Sequence, residues 1–599
     1  MRFSQALALM ASFTKVLLVS AQTNVCQPKD RTFSTEQTPA GSHQPYNIFQ
    51  NPTSSLSSSK FYISIVNLTP HRIKLENTAS YQMDTFEFGD IPQGRARQNR
   101  IKYRNGWATS DDAGEAYYRL DGTDKKFVLR IKGTGSRVDQ RSVTLDLSGM
   151  NLGQRVYRFP GGETTVALVI TGSNKYGFHA SIKHDYGGWM RMIYNTIKDR
   201  PIRHLIMTGT HDAGMSKITD KINSIGNSFN TQNQGINIYD QARAGSRWFD
   251  LRIASIHSNN DASRNNGFWI LHVNDENADL AIGNSGESLD EVISEINKFT
   301  RENPGEVIFF SIRYLVGRYE FPDRGPITWN LQIWNDFLSK LRAINNRCLN
   351  LDLSTGLQNR PASWFMERNE NKGCVILLLD GQNLKGDVPK ESFADGVYST
   401  SRMQVRDHWS NMGNVDAMAP NQVQKWREVT RGGGSDFNQL YIAQWLVTPD
   451  ALASTAFGLQ AFAIQQTNPS LYWAGVSGMD PERYPNVLLV DYIGVQQKDQ
   501  TGWDSLSAEM YWFAIGMNLY TASENCGVSS QKSPLLRRSE EAFKIEGRDD
   551  AWNGIIFANG TTFNNPPPTF HPGRIEVLRN GTVFANGTVL ETSIPNPWW

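Results

Sequence analysis

From about residue 190 to 525 the chain repeats one pattern: a short, almost wholly apolar run, a turn, then an amphipathic stretch. The runs are His204–Met207, Arg247–Ile253, Phe268–Val273, Val307–Ile312, Val375–Leu379, Leu440–Val447 and Asn486–Ile493. Runs of this kind are strands buried on both faces, and such strands belong to parallel sheets covered by helices. The helical signal is clearest at Ser288–Glu302. There Leu289, Val292, Ile293, Ile296 and Phe299 share one face, and Ser288 with Glu291 forms a capping box. Asn303-Pro304-Gly305 stops that helix before the next strand. A second helix is predicted over roughly Trp329–Ile344. Strands and helices in this alternation predict an α/β fold, an irregular TIM (β/α)8 barrel in preference to an open sheet.

The rest of the 599 residues is organised around that barrel. Residues 1–21 read as a secretory signal peptide, with Arg2, the apolar runs Ala6–Ala11 and Val16–Val19 around Lys15, and a small-residue cleavage site at Val19-Ser20-Ala21. Residues 22–59 are a polar linker. Residues 60–185 carry short β-rich runs, Phe61–Val66, Phe127–Ile131 and Thr165–Ile170, separated by turns such as Asp121-Gly122 and Gly161-Gly162. They predict an antiparallel, sandwich-like accessory domain ahead of the barrel at 190–525. Residues 540–599 form a Gly/Asn/Pro-rich extension with small hairpins at Asn-Gly turns. No segment reaches the ~18 apolar residues of a spanning helix. Sequons at Asn67, Asn559, Asn580 and Asn586 accord with export and glycosylation. In an oxidising compartment Cys26, Cys348, Cys374 and Cys526 can pair, with the connectivity open. With 60 Lys+Arg against 59 Asp+Glu there is no basic field for nucleic acid.

In a parallel barrel the chemistry sits where strands end. The first candidate is Leu205–Thr210, which runs into His211-Asp212. In the second, Arg247–Ile253, a strand period of two puts Asp250 and Arg252 on one face and Phe249, Leu251 and Ile253 on the other. The third ends on His272. Two histidines and an arginine suit phosphodiester cleavage. One imidazole takes a proton, the other gives one, and the guanidinium stabilises charge on the phosphate oxygens. This division of labour requires neither metal nor cofactor.

Thr208-Gly209-Thr210-His211-Asp212, then Gly245–Arg252, His272 and Phe299–Ile312, resemble the X domain of phosphatidylinositol-specific phospholipase C, over about residues 190–520. The chain is similar to the metal-independent bacterial-type and X-domain-only branch, in a secreted, fungal-type setting. The resemblance implies cleavage of phosphatidylinositol, or a related inositol phospholipid or GPI-type anchor, to diacylglycerol and (cyclic) inositol phosphate. It makes His211 the base acting on the inositol 2-hydroxyl and His272 the acid. Arg252 becomes the phosphate contact and Asp212 its orienter, with Asp491 the carboxylate behind His211. Arg313 and Asp250 fall on the substrate side. Arg252 stands where metal-dependent relatives place an acidic residue. Three positions depart from the pattern: Ala213 for Ser, Val273 for the Gly after the second His, and Asp380-Gly381 where a basic inositol contact is usual.

The implied partner is an inositol phospholipid met by transient contact with a membrane surface; the oligomeric state is not indicated. Trp189–Tyr194 and Trp598-Trp599 supply interfacial aromatics. A catalytically inactive barrel that binds lipid or glycan is the alternative. A metal-dependent phosphodiesterase on the same barrel would need a Glu-x-Asp pair that Trp248–Arg252 lacks.

Overall fold

The computed structural model describes residues 60–522, apart from 105–111, 134–140, 160–163, 175–176, 184–186, 220, 223–227, 259–260, 274–282, 320–325, 382–395, 432–436, 450–457 and 496–506, together with four short strands beyond residue 550. The signal peptide, the linker, Cys26, Cys526, Asn559, Asn580, Asn586 and Trp598-Trp599 lie outside the described residues. The four strands in the tail pair as one antiparallel sheet.

Eight parallel strands make the barrel: β1 (Met207–Thr210), β2 (Ser246–Ser258), β3 (Glu306–Tyr319), β4 (Gly373–Leu379), β5 (Val397–Ser399), β6 (Val405–His408), β7 (Leu440–Gln444) and β8 (Val487–Val490). Their order in the sheet is β5-β4-β3-β2-β1-β8-β7-β6, so chain neighbours are spatial neighbours and β8 returns to β1. The ring has one seam, between β5 and β6. Only residues 400–404 join these strands. A crossover between parallel, laddered neighbours takes about a dozen residues, so no ladder forms there.

Two expectations change. Phe268–Val273 is not a barrel stave; the strand Asp261–Val273 folds back antiparallel on β2 and pairs outward with Gly283–Ser288. Residues 259–260 alone separate it from β2, which permits a hairpin and excludes a crossover. The run His204–Met207 enters its strand only at Met207, because a 3-10 turn over Ile202–His204 follows Pro201. The helix Leu289–Glu302 forms with the expected Ser288–Glu291 capping box, and its apolar face is buried.

Alternation along β2, β3 and β4 divides two cores. Phe249, Leu251, Ile253, Ile308, Phe310, Ile312, Val375 and Leu377 pack with the helices Leu289–Glu302 and Leu331–Leu341. Trp248, Phe309, Ile376 and Leu378 face the other way, with Trp248 and Phe309 stacked at 5.6 Å. Parallel register continues that face upward as Asp250 beside Ser311 and Arg252 beside Arg313. The floor is therefore apolar and the mouth charged. At the base, buried Arg247 donates to Glu306 (Nε–Oε2, 2.8 Å), which also accepts from the Arg191 N–H. Trp189 is buried there, bonded to the Gly245 carbonyl at the start of β2. The segment expected to meet a membrane is thus core at the end away from the mouth.

Residues 60–180 form two five-stranded sheets that share one apolar core. They are antiparallel throughout except that Lys60–Leu68 runs parallel to Thr164–Ser173. Both of those strands have two buried faces. Ile63, Ile65, Val166, Leu168 and Ile170 enter the sheet-to-sheet core, and Val66, Leu68, Ala167 and Val169 enter the barrel's own cluster. Gly516, in the helix Glu509–Met517, permits this approach; a Cβ there would lie 2.6 Å from Leu68 Cδ1. Asn67 is fully buried, with Nδ2 donating among the carbonyls of His71, Ile91 and Pro92, so this sequon offers no free amide to a glycan. Cys348 and Cys374 form a disulfide tying the loop after Leu331–Leu341 to the start of β4.

Tyr157 donates to Glu509 (3.0 Å) across the junction of the sheets and the barrel. Burial pushes the Glu509 carboxyl from its ordinary 4.5 up to about 7, against the pull of Arg155. Below pH 4.5 the group is neutral in folded and unfolded chains alike. As pH rises toward 7 the unfolded chain ionises first, and this contribution to stability is lost. Glu509→Gln should therefore unfold at a higher temperature than wild type at pH 8 and at nearly the same temperature near pH 4.5, as read by thermal unfolding followed by circular dichroism.

Candidate active site

His211 directly follows β1 and Asp491 directly follows β8. Because Thr210 pairs with Val490 in register, residues far apart in sequence meet: His211 Nδ1 lies 2.9 Å from Asp491 Oδ1. The carboxylate accepts, so Nδ1 carries the hydrogen and Nε2 presents its lone pair. Arg252 Nη2 donates to that lone pair at 2.8 Å. Arg252 enters from β2, its Nε 2.8 Å from Asp212 Oδ1 and its Nη2 3.6 Å from Asp250 Oδ2. Asp212 Oδ2 lies 3.5 Å from His272 Nδ1 and 3.9 Å from His211 Nε2. His272 Nδ1 donates to the Thr231 carbonyl at 3.0 Å. The two imidazoles are 6.4 Å apart, centroid to centroid, and nearly perpendicular. The expected histidines and arginine converge, although His272 arrives on the hairpin arm and not on a third barrel strand.

Arg313 and Asp250 are also at the mouth, bound to each other. Arg313 Nε donates to Asp250 Oδ1 at 2.5 Å, and its Nη1 donates to Asp407 Oδ2 at 3.0 Å. Charges alternate as Asp212, Arg252, Asp250, Arg313, Asp407, running from β1 across to β6. The substrate contact expected of Arg313 is consequently shared with two carboxylates, the expected Asp250 and Asp407, which the sequence did not indicate.

Burial lowers the proton affinity of His211, but Asp491 and then Asp212 more than reverse this, and its pKa lies above the ordinary imidazole value. For His272 burial prevails over Asp212, assisted by Arg252 and His211, and the pKa is lowered. Asp250 would be raised by burial, yet Arg313 and Arg252 hold its carboxyl far below the usual range. Among the described residues no group of three or more His, Cys, Asp or Glu is arranged to hold a metal ion.

Sequence patterns did not point to the loop that braces these groups. Besides the Thr231 carbonyl, Asn233 Nδ2 donates to Asp491 Oδ1 (3.1 Å). Gln234 Nε2 donates to the carbonyls of His211 (2.8 Å) and Val490 (3.1 Å). The amide-rich run Asn230–Gln234 was its only trace in the sequence. On the mouth loops Phe229 and Trp409 are exposed at 57% and 51%.

An open parallel α/β barrel carrying a His–Asp pair, a second histidine and an arginine at its strand ends is the class that fold and site define. No family model matches the sequence, and no curated protein matches it. Among solved structures the chain is similar to phosphatidylinositol-specific phospholipase C from Staphylococcus aureus, at 13% identity and a TM-score of 0.35, covering 58% of this chain and 99% of that one. A second structure of that enzyme, concerned with modulation of its membrane binding, gives 12%, 0.37, 57% and 100%. The phosphatidylinositol-specific phospholipase C from Listeria monocytogenes gives 13%, 0.31, 56% and 99%. At such distance the likeness carries no functional weight, and the chemistry rests on the side chains.

In the free protein His211 should titrate above His272, as followed by 15N NMR of the imidazoles. Asp491→Asn, which removes the main charge raising His211, should lower the His211 midpoint. An unchanged midpoint would show that Asp491 does not set its proton affinity.

Proposed function

We propose that the chain is a secreted, metal-independent phosphodiesterase of the phospholipase C type. It acts on phosphatidylinositol or a related inositol phospholipid, GPI-type anchors included, and releases diacylglycerol and cyclic inositol phosphate. The observation that carries this reading is the convergence of His211, Arg252 and His272 on the single carboxylate Asp212.

In the reaction the inositol 2-hydroxyl attacks phosphorus and its proton passes to His211 Nε2, while Asp491 holds the Nδ1 hydrogen and stabilises the imidazolium. The bond from phosphorus to the diacylglycerol oxygen breaks, and His272 protonates that oxygen. Its Nδ1 is committed to Thr231, which leaves Nε2 as the donor. In the free site Arg252 covers the lone pair of His211. A phosphodiester draws the guanidinium onto its non-bridging oxygens and so uncovers the base as it binds. The same anion adds negative charge beside His272 and opposes the burial that lowers its pKa. The substrate thus uncovers the base and raises the proton affinity of the acid.

Arg252 places a fixed positive charge between Asp212 and Asp250, the carboxylates a divalent cation would need. Exposed Phe229 and Trp409 give the mouth an apolar rim for brief contact with a bilayer. The leader-like residues 1–21 and the Cys348–Cys374 disulfide support secretion.

His211→Ala and His272→Ala should each lower kcat by about 10²–10⁴ with the fold retained. Arg252→Lys, which loses the planar fork, should lower it by about 10²–10³. The assay is release of water-soluble inositol phosphate from labelled inositol lipids with EDTA present. Near-wild-type release from either histidine variant would falsify the acid–base assignment, and inhibition by EDTA that Ca²⁺ reverses would overturn metal independence.

A further inference from the structure

Eleven residues other than glycine have positive φ among the described residues. Eight are Asn, Gln or Glu; the other three are Asp212, Tyr314 and Tyr492, which directly follow His211, Arg313 and Asp491. An aromatic side chain has no local hydrogen bond to repay a left-handed backbone, so such a residue marks strain held for a reason. Tyr492 has an evident anchor, since its hydroxyl donates to the Gln232 carbonyl at 2.8 Å. Tyr314 sits at φ 55° where the register of β2 and β3 slips: Arg252 pairs with Arg313, but Ala254 pairs with Val316. One extra residue on β3 makes a bulge, a device that re-aims a side chain. Its ring is partly exposed and belongs to none of the apolar clusters. What it faces is charge: Arg252 Cζ lies 5.2 Å, and Arg313 Cζ 5.9 Å, from the ring centroid.

We propose that Tyr314 is a positioning residue whose ring holds the Arg252 guanidinium at the height from which its Nη2 donor passes from His211 to the phosphate of the substrate. The inference rests on the phosphodiesterase reading above and extends it. A π face attracts a cation without fixing the direction of its N–H groups. Arg252 is therefore confined without being locked, as a donor that must change partners requires. Asp212 and Asp250 meet Arg252 at its N–H groups, and from β3 the ring bears on it beside the like-charged Arg313.

The test compares Tyr314→Phe with Tyr314→Gly in the full chain. Phe keeps the ring, and kcat/KM should stay within about twofold of wild type. Gly adopts φ 55° without strain but removes the ring; its kcat should fall about tenfold or more, with KM changed less and the thermal unfolding midpoint unchanged or higher. Arg252, no longer confined, should also relax its hold on His211, so the His211 midpoint read by 15N NMR should rise in the Gly variant and not in Phe. A Gly variant with wild-type kcat/KM and an unmoved His211 midpoint overturns the proposal. So does a Gly variant that unfolds at a lower temperature, which makes the ring structural, or a Phe variant as impaired as Gly. If wild type releases no inositol phosphate from any inositol lipid, the phosphodiesterase reading fails, while the NMR comparison still decides what Tyr314 does to Arg252.

Discussion

A fully buried carboxylate is costly unless charge meets it at close range, and Asp212 is such a group. Arg252 lies 2.8 Å from one of its oxygens and the two imidazoles lie 3.5 Å and 3.9 Å from the other. Each partner would itself be poorly placed in the barrel mouth without that negative charge. The arrangement is reciprocal: Asp212 gathers the cationic groups, and they make its burial tolerable. Its left-handed backbone, φ 41°, follows from the same demand, because the chain must turn sharply off β1 to bring consecutive side chains, His211 and Asp212, to bear on one point.

Much of the architecture was legible because it follows from periodicity. The unbroken apolar runs Val307–Ile312 and Val375–Leu379 became parallel strands, the face of Ser288–Glu302 became a capped helix, and the alternation of Phe249, Asp250, Leu251 and Arg252 separated core from mouth. What escaped has no period. β5 and β6 are three and four residues long, too short to show any. The arm carrying His272 looks like another buried strand locally, and only the brevity of its connection shows otherwise. Asn233 and Gln234 act through side-chain amides on a loop, where spacing implies nothing about direction. Trp189 and Asn67 misled for the opposite reason: an interfacial aromatic and a sequon imply exposure only when their neighbours allow it, and both residues are buried with their N–H groups satisfied.

The two ends of the barrel divide rigidity and strain between them. At the base the buried Arg247–Glu306 pair is closed by backbone N–H and carbonyl groups, and every donor has a settled acceptor. At the mouth the two guanidiniums of Arg252 and Arg313 are shared among three carboxylates, Asp212, Asp250 and Asp407, and the strained residues Asp212, Tyr314 and Tyr492 cluster there. A site whose donors must exchange partners benefits from this imbalance, provided the opposite end does not move.

The strands Lys60–Leu68 and Thr164–Ser173 present apolar side chains on both faces, one to their own sheet pair and one to the barrel. A polypeptide divided near residue 185 would consequently be cut through shared interior and not through a tether. Each half would bare a slab of Val, Leu and Ala to water and stick to whatever lay nearest. A module boundary placed there would expose buried apolar surface on both sides, so the β-sheets and the barrel depend on each other for cover.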